Sequence, residues 1–347
     1  MTPTRPSGTT VPPDQRLALD VRQAIEAAVW APSVHNTQPW TFALHGSRVS
    51  LRADPDRRLA AADPDGREML ISCGAALFTL RIALRGLGYA PKIRLLPDPD
   101  RPHLLADVLP GEPSADREEP DHLVAHVRHR HTHRGGFRPT PVRAALLSTL
   151  RWDAEAEGAR LIQAVEPHTK GALAALTQVA EHVQRLDPAC AAEAARWAPA
   201  PGNTRQEGVH HEAYPRQEPH TEPYFPGRDF ARGFGWGVPP EAACPEEEGA
   251  RQPVTGVVLM IVTAGDAPAD WLRAGQALQR VLLRAAGDGL AAAFHTQALE
   301  VPELRAFIRS RFCHGLHPQI LMRLGEPVGP ELVTVRRSVT AVIVDEP

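Results

Sequence analysis

The chain has 347 residues, 43% hydrophobic and 23% charged, with 38 basic against 41 acidic side chains and a net charge of −3. This balance suits a soluble globular protein of roughly two units of ~150 residues, and it offers no lasting positive field for non-specific nucleic-acid binding or a membrane surface. The four cysteines, Cys73, Cys190, Cys244 and Cys313, form no C-x-x-C pair, which argues against a disulfide framework or structural zinc and fits a reducing cytoplasm.

Residues 1–15, polar and Pro/Thr-rich without an apolar signal core, read as a disordered lead. Val21, Ile25, Ala28 and Val29 recur at helical spacing and predict an amphipathic helix ending near Trp30. The stretch "WAPSVHNTQPW" (Trp30–Trp40) follows. "TFALHG" and "RVSLRA" predict two strands joined at His45-Gly46. A long helix is expected over about Glu68–Gly86, with Gly88 placed to stop it. Strands "KIRLL" and "LLADV" come next, then a helix leading into "RHRHTHRGGF".

The second half predicts a helix at about 142–152, the strand "ARLIQAV" and a helix at about 168–185. An irregular stretch at roughly 199–253 is dense in Pro, Gly, His and Glu. Beyond it come a strand (Gly256–Ala264), a helix (about 269–286), a strand near Ala291–Phe294, a helix (Pro302–Ser310) and strands "PQILMRL" and "TAVIV". The apolar run Val257–Ala264 falls far short of the ~20 residues a membrane span needs. Mixed helices and strands of this kind predict helix layers packed on sheet.

One stretch repeats. "CGAALFTLRIALRGLGY" (Cys73–Tyr89) aligns without gaps on "AGQALQRVLLRAAGDGL" (Ala274–Leu290), each running from a helix through a glycine stop into a strand. A repeat of this kind predicts two fused copies of one α+β unit, a chance match between two Leu/Ala-rich helices being the other reading.

No G-x-x-x-x-G-K-[ST], G-x-S-x-G or H-E-x-x-H motif is present, and "GFGWG" (Gly233–Gly237) does not lie between a strand and a helix. In "RHRHTHRGGF", Arg130, Thr132 and Arg134 alternate, so an extended chain puts them on one side. Two guanidiniums flanking a hydroxyl suit a phosphate, since Arg forks onto its oxygens; a solvated basic loop is the other reading. His129, His131 and His133 lack a fourth ligand at fixed spacing, and no metal is expected. In "WAPSVHNTQPW", Pro32 and Pro39 stiffen the backbone, and Asn36 and Gln38 offer both donors and acceptors to a planar polar edge. From the residues alone, a core-packed turn explains the stretch more simply.

Pro-Ser-x-x-Asn-x-Gln-Pro-Trp resembles the flavin-contacting motif of the nitroreductase superfamily. "RHTHRGGF" resembles its R-x-[ST]-x-R-x-F phosphate motif, with Phe137 one residue late. The layout, including "WLRAGQALQRVLLRAAGDGL", "FHTQALEVPELR" and "PQILMRLGEP", is most similar to the Acg-type branch, whose members fuse two such units. The resemblance spans roughly residues 17–345.

It implies an α+β fold of two tandem nitroreductase-like units, with mixed or antiparallel central sheets flanked by helices, forming a pseudo-dimer in one chain. The halves would be residues 16–125 and 126–347. It also implies FMN as cofactor, one per chain, because there is one good copy of each motif; "WAPAPGNTR" (Trp197–Arg205) reads as a chance match or decayed copy. Arg130, Thr132 and Arg134 would hold the phosphate with Arg336 or Arg337 assisting. Pro32, Ser33, Val34, Asn36 and Gln38 would face the ring, with Phe294, Thr296 and Gln297 nearby.

The implied activity is ping-pong reduction of nitroaromatic or quinone acceptors by NAD(P)H, with no obligatory side-chain acid or base. The alternative is a non-catalytic protein that sequesters FMN. The insert at 199–253 carries Tyr214, Tyr224, Phe225, Phe230, Phe234 and Trp236, which predicts a lid over the flavin. A chain holding both halves of the site favours a monomer over a homodimer.

Overall fold

The computed structural model describes residues 12–115, 118–213, 221–228, 230, 254–329 and 334–344. Residues 1–11 of the expected lead, and Tyr214, Phe234 and Trp236 of the expected lid, lie outside them. The first unit opens with α1 (Pro13–Ala28), which starts inside the expected lead because Pro13 sits at the first helical position, where its fixed φ and missing N–H cost nothing. Strands β1 (Trp40–His45) and β2 (Arg48–Ala53) form the expected hairpin. Helix α2 (Arg67–Gly86) leads to β3 (Lys92–Leu95) and β4 (Leu104–Leu109), and α3 (Glu118–Ala125) closes the half.

The second unit runs α4 (Ala144–Ala156), β5 (Arg160–Ala164), α5 (Pro167–Leu186) and α6 (Pro188–Arg196). Helix α6 was not legible in the sequence. Asp187 restarts the helix there, its side chain accepting from Ala189 N at 2.8 Å with Pro188 behind it. Then follow β6 (Val257–Thr263), α7 (Pro268–Gly287), β7 (Ala291–Phe294), α8 (Gln297–Glu300), α9 (Pro302–Phe312) and β8 (His317–Gly325). The chain ends in α10 (Val339–Val342) and β9 (Ile343–Val344). "TAVIV" is therefore largely a helical turn: Val342 is buried in the core of the first unit, and pairing with β1 involves Ile343 and Val344 alone.

Two sheets result. One has the order β3-β4-β2-β1-β9, antiparallel except for the parallel β1–β9 pair; the other, β5-β6-β8-β7, is antiparallel throughout. The C-terminal strand of the second unit thus completes the sheet of the first.

Helices α2 and α7 cross at the seam. Each has 20 residues, and the second repeats the first 201 positions later at both ends (67 to 268, 86 to 287). Gly74 meets Gly275, its partner in the repeat: a Cβ on Gly74 would lie 2.3 Å from Leu272 O, and one on Gly275 would lie 2.0 Å from Ile71 O. Only glycine lets the two backbones approach this closely. Both helices stop alike, at Gly88 (φ +93) and Gly289 (φ +73). Tyr89 N donates to Leu84 O and Leu290 N to Ala285 O, the 6→1 bond of a Schellman cap. Deeper in the seam, Gln279 Nε2 donates to Thr79 Oγ1 at 3.0 Å. Helix α2 is apolar enough to cross a membrane by composition, but 83% of its most apolar window is buried inside the protein, which marks a core helix. The fold is a pseudo-dimer in one chain.

Candidate functional site

A cavity of about 820 Å³ opens at the seam and takes walls from both units. The first unit contributes Pro32–Asn36 and the α2 residues Glu68, Ile71 and Ser72. The second contributes Thr132–Arg134, the α5 face bearing Gln178, Glu181, His182 and Arg185, the β7 end from Ala293 to Gln297, Arg323 and Arg336. Tyr224–Arg228 and Phe230, in the described part of the insert, also line it. Its volume lies within the range of ligand and cofactor sites, roughly 300–1,000 Å³.

The loop after α1 is held in a strained shape. His35, Asn36 and Gln38 all have positive φ (46, 52 and 51°), each costing on the order of 1–3 kcal/mol that the surroundings must offset. Ser72 Oγ accepts from Val34 N at 3.1 Å, and Ser33 Oγ accepts from Gln38 N at 3.0 Å. Asn36 donates to Gly208 O (2.9 Å) and Val335 O (3.2 Å) and accepts from Arg336 Nη1 (3.0 Å). Gln38 donates to Gln206 O at 2.7 Å and accepts from Arg337 N at 2.8 Å.

Two expectations change here. The amide groups of Asn36 and Gln38 bond this chain's own backbone and the Arg336 side chain and so lock the loop; Asn36 still lines the cavity, whereas Gln38 does not. Trp40 is fully buried in the core, while the Trp30 ring lies 5.7 Å from the Arg336 guanidinium. The stretch Trp197–Arg205, a chance match or decayed copy by its residues, packs against the loop: Trp197 shares an apolar cluster with Leu59, Ala62 and Val34, and Val209 just beyond it lines the cavity.

The arginine segment runs extended beside β7, with Thr132 bridged to Ala292 and His133 N donating to Ala292 O at 2.8 Å. Phe137, fully buried, anchors its far end between Val254 and Pro327. Arg130 is buried behind Thr132 rather than lining the cavity; its Nη2 donates to Trp30 O at 3.2 Å, while Nε and Nη1 have no partner among the described residues. Arg336 lines the cavity and its Nε is likewise unpartnered.

Burial pushes the Arg130 pKa down to about 10. Burial, with the charges of Arg130 and Arg134, pushes that of Arg336 down to about 9. Buried guanidiniums with unfilled donors, packed close enough to repel one another, fit a phosphate, which would supply both acceptors and opposite charge. Arg337 points elsewhere, donating to Gln38 O, Trp40 O and Ala341 O.

At the other end the insert is clamped down. Arg228 donates to both carboxylate oxygens of Glu300 and, at 3.1 Å, to Gln184. His295 and Gln297 both bond Pro226 O, at 3.0 and 3.4 Å, and Arg323 Nε donates to His295 Nε2 at 2.7 Å. Thr296 Oγ1 donates to Glu300 at 3.3 Å. Phe230 meets the His35 ring edge-on at 4.7 Å. Burial and the charges of Arg228 and Arg134 hold His35 well below the usual histidine range, hence neutral. Glu68, His35, Arg228 and Arg323 escaped the sequence reading. His35 fills a variable position of its motif, and Glu68 looks like an ordinary acidic residue in a helix's first turn.

The fold and site together define a fused two-unit α+β protein with a phosphate-suited cavity at its internal seam. No family model matches the chain. A protein of Mycobacterium tuberculosis strain H37Rv, provisionally named an NAD(P)H nitroreductase, is 33% identical over 333 residues, covering 93% of this chain and 90% of that one. A second from the same strain, provisionally named NAD(P)H nitroreductase acg, is 30% identical over 335 residues, covering 95% and 97%. A solved structure from Parabacteroides distasonis, provisionally titled an NADH dehydrogenase/NAD(P)H nitroreductase, is 14% identical with a TM-score of 0.33 and covers 63% of this chain and 94% of that one. The chain belongs to the nitroreductase family, in its Acg-type branch.

Proposed function

We propose that the chain is an NAD(P)H-dependent oxidoreductase that holds one FMN in the seam cavity and reduces small nitroaromatic or quinone acceptors. The observation that carries this reading is the set of buried donors, Arg130 Nε and Nη1 and Arg336 Nε, that have no acceptor among the described residues, with Arg336 lining the cavity together with Thr132 and Arg134. The names of the M. tuberculosis relatives support the NAD(P)H-dependent activity.

In this reading the arginines and Thr132 hold the phosphate. The stiff backbone of Pro32–Asn36 and the segment Phe294–Gln297 flank the ring, and Phe225, Phe230 and Arg228 keep water from its face. A bound flavin would supply the two-electron chemistry, hydride acceptance from NAD(P)H and electron return to an oxidant, and one cavity would then serve both reactants in turn. The protein's share is placement: charge-assisted hydrogen bonds contribute about 1.5–3 kcal/mol each, and the strained loop is pre-organised by Ser33, Ser72 and Asn36.

Stopped-flow mixing of the FMN-loaded protein with NADH or NADPH under anaerobic conditions tests the proposal. The expected result is loss of flavin absorbance with one of them and its return on adding nitrofurazone. Absorbance that neither reductant changes would overturn the catalytic reading.

A further inference from the structure

The proposed reaction consumes a proton that no residue described so far delivers. Reduction of a nitroaromatic to its nitroso product balances as R–NO2 + NAD(P)H + H+ → R–NO + NAD(P)+ + H2O. A quinone takes the same hydride and proton to become a hydroquinone. In both cases a proton must reach an acceptor oxygen inside the cavity. Resting on the functional reading above, we infer that Glu68 is the catalytic acid that supplies this proton.

Glu68 lies in the first turn of α2, lines the cavity and is 4% exposed. Its Oε1 accepts from Arg67 Nη2 at 2.8 Å, whereas Oε2 is buried without a hydrogen-bond partner among the described residues. An ionised carboxylate with an unfilled buried oxygen is costly, and protonation relieves that cost.

The charges around it come from every side: Asp63 from the preceding loop, Arg67 from α2 itself, Glu300 from α8 and Arg228 from the insert, with Glu181 of α5 on the same cavity. Burial first and Glu300 second push the Glu68 pKa up to about 8, against the opposing pull of Arg67. The carboxyl is therefore protonated at neutral pH and poised for general-acid work.

In the step, the Glu68 O–H bond breaks and an O–H bond forms on the acceptor. For a nitro group the hydride equivalent from NAD(P)H supplies the two electrons and the second hydrogen, so the N–O bond breaks and the oxygen leaves as water. The carboxylate left behind faces Arg67 and Arg228 until solvent reprotonates it. A purely structural partner of Arg67 would need Oε1 alone, and in the Glu68→Gln variant the amide oxygen still accepts from Arg67.

The test compares wild type and Glu68→Gln, both loaded with FMN, in separate anaerobic half-reactions: reduction by NAD(P)H, and reoxidation by nitrofurazone. The ratio of reoxidation to reduction rates should fall about 100-fold at neutral pH. The decline in wild-type reoxidation as pH rises past about 8 should vanish in the variant. Infrared difference spectra, recorded without turnover, should show a protonated carboxyl band in wild type that titrates in that range and is missing from Glu68→Gln. An unchanged rate ratio and pH profile, or no such band, would overturn the inference while leaving the functional reading intact. Flavin that NAD(P)H never bleaches in wild type would overturn both.

Discussion

Arg130 and Arg336 show how a site can be recognised from donors that lack acceptors. Their guanidiniums are buried, burial lowers the proton affinity of both, and the charge of Arg130 lowers that of Arg336 further, a cost that a phosphate would reverse. Replacing Arg130 and Arg134 together with Ala should remove two charge-assisted contacts of at least ~1.5 kcal/mol each. FMN affinity measured by fluorescence quenching should therefore weaken roughly 100-fold; affinity kept at wild-type strength would place the phosphate elsewhere.

At the same scale Glu68 couples stability to pH. Its pKa rises from an ordinary 4.5 to about 8 on folding, so between these values the folded state binds more protons than the unfolded state. The stabilisation is complete below the unfolded value and is lost as pH rises through the folded one. Urea unfolding from about pH 5 to about pH 8 should show wild-type stability sloping downward with pH, and Glu68→Gln a flatter line. Equal slopes would mean the carboxyl does not change its protonation on folding.

The α2–α7 pair and the insert decide the shape of the cavity. The α2–α7 crossing sets the distance between the units, and Gly275 leaves no space there: an added Cβ would sit 2.0 Å from Ile71 O, which is backbone and does not yield cheaply. Gly275→Ala should lower the thermal midpoint by an overpacking cost of about 1–3 kcal/mol or more. Gly171→Ala, in α5 where nothing lies within 4 Å, should be neutral or mildly stabilising. Similar midpoints for the two variants would mean the crossing has slack.

The insert is the other element. Arg228→Ala leaves Glu300, whose side chain is 1% exposed, without its buried partner, at a cost of about 3–5 kcal/mol. The covering segment should then release, seen as faster proteolysis within 221–228 and faster FMN loss. Cleavage at the wild-type rate would argue against a clamp.

At the scale of the whole molecule, one loop of the first unit and one arginine segment of the second meet at a single cavity, so one FMN per chain is expected. Denaturation of the loaded protein should release about one equivalent, and a value near two would refute the single site. Much of this was legible in the residues. Periodicity located α2 and α7 to within a residue or two, the ungapped likeness of Cys73–Tyr89 to Ala274–Leu290 announced the repeated crossing, and the loop and arginine motifs marked two walls. Such signals are local, because side-chain spacing along a helix or strand follows from its own geometry.

What remained hidden depends on partners far along the chain. Asn36 and Arg336 bond across 300 positions, and Arg67 reaches Gln319 O across 252. Spacing could not reveal that Asn36 and Gln38 secure their own loop, that the C-terminal strand joins the other unit's sheet, or that Arg228 ties the insert to Glu300. Nor could it single out Glu68 from any acidic residue at a helix start. The sequence by itself determined the repeated α+β unit and the two motifs, through local periodicity and residue chemistry. The tertiary structure alone decided which side chains face the cavity and which are spent holding it, because desolvation and hydrogen-bond partnership exist only once distant segments have packed together.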